Sequence, residues 1–261
     1  CGLNEILKGR EGQIYGILNG IDIDWRHTTR DPAVRFPYGL SEKRVDGEIE
    51  YYDWKQGKRL DKEYLQKKLG LKVGKEIPMF CYIGRISEAQ KGMEILHRML
   101  RRVDQTKFQF IVLGSGEKDW EERFHWLSTF YPKYISCNFR FDDNLAHQIY
   151  ASADFIVIPS KYEPCGLIQM IAMLFGTIPI AHKTGGLKDS IKNDYNGFLF
   201  SSYSSEALEE KVMKAVDMWK NDRPTYETMV QNALTTDFSW KKHALAYLTL
   251  YKKLLETSTP Q

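Results

Sequence analysis

One carboxylate, Glu163, stands between two apolar runs in Ser160-Lys161-Tyr162-Glu163-Pro164-Cys165-Gly166-Leu167, and about twenty residues later comes Lys183-Thr184-Gly185-Gly186-Leu187. A carboxylate so placed stands where a ligand held outside the strand ends would meet it. The segment from Gly166 to Phe175 is apolar nearly all round and ends at Gly176, so it reads as a buried helix whose first amides are free to hold an anion. Gly185 and Gly186 permit a tight turn beside a ligand. Carboxylate, anion-binding helix start and glycine turn together suit a ligand with both sugar and phosphate. Arg85 and Lys91 extend this set, because they flank a loop after another strand. There a guanidinium can grip phosphate oxygens in bidentate fashion and an ammonium can act as a point charge. Position alone also allows plainer readings: Glu163 as a helix cap, the two cations as a solvated basic loop, the glycines as a strand-to-helix turn.

The elements that must position these residues follow from hydrophobic pattern. Phe155-Ile156-Val157-Ile158-Pro159 is short, apolar and rich in branched residues, which predicts a buried parallel strand with Glu163 just past its carboxyl end. Thr177 to Ala181 predicts a second strand leading into the glycine turn. From Pro78 onward, strands at Met79 to Ile83, Phe108 to Leu113, Tyr134 to Asn138 and Gly197 to Phe200 alternate with helices beginning at Met93, Asp119 and Asn144, the last capped by Asn144 itself. This alternation predicts an α/β, Rossmann-like domain: a mostly parallel sheet with helices on both faces. Ligands of such sheets sit outside the carboxyl ends of the strands, where both motifs fall. Amphipathic helices of about Ser205 to Lys220 and Ser239 to Leu255 close the chain. The head, Cys1 to Gly74, is less regular, with a charged tract around Asp53 to Lys62 and a helix ending near Leu69-Gly70.

Composition narrows the partners. The 261 residues, 43% of them hydrophobic, suffice for one large core or two smaller ones. A net charge of only +3, from 37 basic and 34 acidic residues, gives no polyanion-binding signature and argues against nucleic acid. Cys1, Cys81, Cys137 and Cys165 show no paired spacing, which points away from a disulfide or zinc framework and toward a reducing compartment. The six histidines show no metal-ligand spacing, and His147 and His182 read as structural. No apolar run approaches the ~18 residues that would span a bilayer, so no membrane partner is expected.

Glu-Pro-Cys-Gly-Leu and Lys-Thr-Gly-Gly-Leu resemble segments of the carboxyl-terminal domain of bacterial and plant glycogen/starch synthases, which are retaining glucosyltransferases of the two-domain GT-B fold. Three further stretches agree. Gly16-Ile17-Leu18-Asn19-Gly20-Ile21-Asp22 resembles the family's interdomain junction. Gly84-Arg85-Ile86 with Gln90-Lys91-Gly92 resembles its phosphate-contacting loop, and Asp237-Phe238-Ser239-Trp240 its closing helix. The motifs keep the family's order over nearly the whole chain, which opens at Cys1 at a point matching the middle of the family's proteins.

The resemblance implies a donor, ADP-glucose, and an acceptor, α-1,4-glucan. It implies that Glu163 contacts the donor sugar's hydroxyls and stabilises charge near the anomeric carbon, while Arg85 and Lys91 neutralise the leaving diphosphate. By the same likeness the amides of Cys165, Gly166 and Leu167 complete the diphosphate cradle, Thr184, Gly185 and Gly186 lie near the sugar, and Phe141 stacks on the nucleotide base. No metal or other cofactor is implied. Where other retaining GT-B enzymes carry a second glutamate this chain has Ile171, as the resembling subgroup does. Many members have a hydroxyl residue where Ile168 stands, and the Arg85–Lys91 spacing is one residue longer than in many bacterial members. The implied organisation is the end of a missing amino-terminal domain with the interdomain junction (1–22), a connecting region with one helix (23–76) and a nucleotide-sugar-binding domain (77–261). That amino-terminal domain is itself an expected partner. The implied location is the cytoplasm, or the plastid in a plant or alga. Two rivals stay open: another retaining GT-B transferase, and a non-catalytic nucleotide-binding or glucan-scaffolding module.

Overall fold

The computed structural model describes residues 4–23 and 27–258, so Cys1 lies outside the described residues. The chain begins with α1 (Asn4–Lys8), then β1 (Tyr38–Gly39), β2 (Lys43–Val45), β3 (Glu48–Asp53) and α2 (Trp54–Lys68). Alternation follows: β4 (Met79–Ile83), α3 (Glu88–Lys91), α4 (Met93–Arg102), β5 (Gln109–Leu113), α5 (Lys118–Phe130), β6 (Ile135–Asn138), α6 (Asp143–Ser152), β7 (Phe155–Ile158), α7 (Ile168–Leu174), β8 (Ile178–His182), α8 (Gly185–Ser190) and β9 (Phe198–Phe200). The last elements are α9 (Ser205–Asn221), α10 (Arg223–Leu234) and α11 (Trp240–Ser258).

Residues 23–236 form one compact unit; residues 1–22 and 237–261 form another. In the smaller unit Ile21 bridges Ser239 and its amide donates to the Phe238 carbonyl at 2.9 Å. Leu245, Leu248, Tyr251 and Leu255 of α11 are exposed.

The larger unit is built on a six-stranded sheet of order β6-β5-β4-β7-β8-β9, every pair parallel. Of its central strands β5 and β7 are buried along their whole length and β4 at every residue but Ile83, as expected when helices cover both faces of a parallel sheet. The order runs outward from β4 to β6 and then restarts at β7 on the other side of β4. Right-handed crossovers therefore send the helices to opposite faces: α4 packs on α5 and α9, while α2 packs on α6 and α10 on α7. A small second sheet, β1-β3-β2, precedes α2.

Two readings need correction. The start of α6 is capped by Asp142, whose carboxylate accepts from the Leu145 amide at 2.9 Å; Asn144 is inside the helix. Both residues have capping chemistry, and the one before the first turn takes the free amide. The sequence pattern also passed over α10. Its start signal is Asp222, which accepts from the Thr225 amide, followed by Pro224 in the first turn.

Candidate active site

The sheet order reverses between β4 and β7, and a crevice opens outside the carboxyl ends of strands at such a point. β4 leads into Gly84-Arg85 and on to Lys91; β7 leads into Ser160 and Glu163. Lys91 Nζ meets Glu163 Oε2 at 2.5 Å across the switch point. Both side chains are partly buried, 14% and 13% exposed, so the attraction is only weakly screened. Ser160 Oγ donates to the same Oε2 at 3.2 Å, and the Ser160 carbonyl lies 2.9 Å from His182 Nδ1. The two loops are also joined through backbone, from the Lys161 amide to the Gln90 carbonyl at 2.8 Å. Gly92, at φ 70°, lets Lys91 reach inward: a Cβ there would stand 2.1 Å from the Pro159 carbonyl oxygen.

The two glycine-bearing motifs are packed on one another. The Gly186 amide donates to the Glu163 carbonyl at 2.9 Å. A Cβ on Gly185 would lie 2.0 Å from that carbonyl oxygen, and one on Gly186 would lie 2.2 Å from the Cys165 oxygen. The Lys-Thr-Gly-Gly-Leu turn therefore supports the carboxylate loop from behind. Among the described residues the amides of Cys165, Gly166 and Leu167 donate no hydrogen bond, and they precede the first turn of α7. Thr184 is the N-cap residue of α8 but makes no side-chain cap bond.

Arg85 is exposed, bonds Gln90 Oε1 at 2.7 Å and has its carbonyl held by the Tyr82 hydroxyl at 2.6 Å. It lines a cavity of about 450 Å³ together with Gly84, Gly114, Phe141, Tyr150 and Ile171. Phe141, 90% exposed, is not a core residue and leaves its ring open to a flat partner. Glu163 and Lys91 stand outside that cavity's wall. The structure thus brings Arg85 and Phe141 into one hollow, and Glu163, Lys91, Cys165, Gly185 and Gly186 into the loops beside it.

Sequence reasoning missed Gln169 and the role of Ser160. Gln169 is fully buried on α7, and its amide nitrogen donates to the carbonyls of Cys165 and Gly166 and to Ser190 Oγ, fixing the loop that carries Glu163. The available signal was a lone amide in an otherwise apolar helix, Ile168-Gln169-Met170-Ile171. The thiols of Cys81 and Cys137 are pushed up by burial, to about 12 for Cys137, which makes them poor nucleophiles near neutrality.

Residues 61–235 match the family model described as glycosyl transferases group 1. The chain is 37% identical over 259 residues to a glycogen synthase of Streptococcus uberis, covering 97% of this chain and 52% of that protein. A glycogen synthase of Thermosipho melanesiensis is 39% identical, with 97% and 51% covered. The solved catalytic domain of starch synthase IV from Arabidopsis thaliana, bound to ADP and acarbose, superposes with a TM-score of 0.83 at 32% identity, covering 97% of this chain and 51% of that one. The chain spans about half the length of the curated relatives it matches. The parallel sheet with its switch-point crevice, and a family match over most of the larger unit, make the chain a member of the group 1 glycosyl transferases.

Proposed function

We propose that this chain is the donor-binding half of a retaining GT-B glucosyltransferase that extends an α-1,4-glucan from ADP-glucose. The observation that carries the reading is the Lys91–Glu163 pair at the switch point, with Arg85 and Phe141 in the adjoining hollow. Similarity to glycogen synthases along nearly the whole chain, and to a starch synthase solved with ADP and acarbose, supports both the nucleotide and the glucan.

Breaking the bond between glucose and diphosphate puts negative charge on the leaving oxygens and positive charge on the anomeric carbon. Arg85, Lys91 and the undonated amides of Cys165 to Leu167 supply fixed positive poles for the first, and Glu163 a negative pole for the second. Without donor, Lys91 and Glu163 neutralise each other. Diphosphate oxygens compete for the ammonium, and the carboxylate so released turns to the sugar hydroxyls. In this reading the electrostatic work needs no metal. Phe141 offers a face to the base, and Thr184 with the two glycines borders the sugar. The acceptor and further sugar contacts come from an amino-terminal domain, against which the exposed apolar residues of α11 pack. The enzyme works in the cytoplasm, or in the plastid of a plant or alga.

Calorimetric titration of the chain with ADP and with UDP, for wild type and Arg85→Ala, tests the reading. The expected result is tighter binding of ADP, weakened by the substitution. Equal ADP affinity in the variant would remove Arg85 from the diphosphate site. Binding of UDP in preference to ADP would favour a transferase of another donor class.

A further inference from the structure

Two amides of the Glu163 loop have their direction set from beneath. The Gly166 amide belongs to the peptide that carries the Cys165 carbonyl, and the Leu167 amide to the peptide that carries the Gly166 carbonyl. Both peptides are trans, so in each the N–H and C=O point in opposite directions. Whatever holds the two carbonyls therefore aims the two N–H groups.

Gln169 holds both. Its Nε2 donates to the Cys165 carbonyl at 3.2 Å and to the Gly166 carbonyl at 2.8 Å. The side chain is fully buried on α7, so the carbonyls point into the protein and the N–H groups of Gly166 and Leu167 point away from it. Among the described residues neither N–H donates to another backbone group. Gly166 reaches this arrangement at φ 71°, and a Cβ there would stand 2.5 Å from Gln169 Oε1.

The side-chain amide is itself held one way round. A third acceptor, Ser190 Oγ, lies 3.0 Å from Nε2 and donates its own proton to the Gly186 carbonyl at 2.7 Å. Turning the amide over would set Oε1 against the two loop carbonyls. The structure instead leaves Oε1 buried without a donor. A buried acceptor without a donor is costly, and Gln169 bears that cost while both carbonyls stay satisfied. Through Ser190 the same side chain ties the Glu163 loop to the Lys-Thr-Gly-Gly-Leu turn.

We infer that Gln169 is a positioning residue for transfer: it turns the Gly166 and Leu167 amides toward the diphosphate of the donor without touching it. This role rests on the reading of the loop as the diphosphate cradle. Dipoles already aimed at the leaving oxygens need no reorientation as charge develops there. Without the Gln169 donor each peptide plane can turn, and a carbonyl oxygen would then face the diphosphate.

The test compares the wild-type chain with Gln169→Met, which keeps the side-chain length but has no donor. Assigned amide resonances are followed during titration with ADP and with adenosine. In wild type, ADP should move the Gly166 and Leu167 amide protons downfield, and adenosine should leave them in place. Gln169→Met should bind ADP ~10-fold or more weakly, as for loss of hydrogen bonds to a charged group, and adenosine as wild type does. ADP binding by wild type with those two amide protons unmoved would overturn the inference, whether or not the variant folds. So would undiminished ADP affinity in Gln169→Met, or an equal weakening of adenosine, the mark of a general structural role. No ADP binding by wild type would instead sink the donor-site reading, and this role with it.

Discussion

In the proposed reading, donor binding opens the contact between Lys91 and Glu163. Glu163→Gln keeps a side chain that can accept from Ser160 but removes the charge facing Lys91. Transfer by the proposed two-domain enzyme should fall ~10²–10³-fold, as for loss of one electrostatic contact to a transition state. ADP affinity of the isolated chain should hold or rise, because the ammonium no longer has a competing carboxylate. A parallel loss of ADP affinity and transfer would assign Glu163 to ground-state binding instead. Arg85→Ala, which removes a charged donor, should weaken ADP by ~10–100-fold, read by calorimetry. Sequence singled out Arg85 and Glu163 because each sits beside a glycine or proline past a predicted strand end, and Lys91 because it precedes Gly92 in the loop that follows. Gln169 was missed, since its distant partner, Ser190 Oγ, reaches it only when α7 packs on α8.

Elements transmit position to the crevice through close packing. Gly186→Ala would place a methyl group 2.2 Å from the Cys165 carbonyl oxygen, so the Glu163 loop or the start of α8 must move. Overpacking of this kind costs about 1–3 kcal/mol, visible as a lowered midpoint in urea, and transfer should fall with it. An unchanged midpoint would mean the two motifs are not in tight contact. At the far end of β7, Asp154 ties three elements together: it takes Lys62 of α2, the Met79 amide of β4 at 2.7 Å and the Tyr226 hydroxyl of α10 at 3.0 Å. Burial alone would raise its carboxyl, but the Lys62 charge and these hydrogen bonds outweigh it and hold the group below the usual range. A depressed folded-state value contributes stability that is present above about pH 4 and lost as pH falls through the folded value. Asp154→Asn should therefore cost about 3–5 kcal/mol near neutrality and flatten the acid limb of the stability curve. Thermal midpoints measured from pH 7 down to pH 3 check this: an unaltered acid limb would place the linkage elsewhere. The strands were readable from runs such as Phe155 to Ile158, whose burial on both faces makes them continuously apolar. α10 was hidden because Pro224 resembles a breaker unless Asp222 is recognised as the cap before it.

At the scale of the whole chain, βαβ alternation predicted the parallel sheet, but the strand order could not be read from it, because it depends on which edge of β4 receives β7. That return has a kinetic meaning. β5 can pair with β4, and β6 with β5, as they appear, whereas the other edge of β4 waits for β7, with Phe80 opposite Phe155. A growing chain therefore shows a bare apolar strand edge while the intervening seventy or so residues are made, roughly 4–15 s at about 5–20 residues per second. Unpaired edges of this type are templates for association between chains. A chain stopped at Ser152 should accordingly sediment after expression while the full chain stays in the supernatant. The period of greatest hazard for this protein thus falls before the glutamate of its crevice has been synthesised.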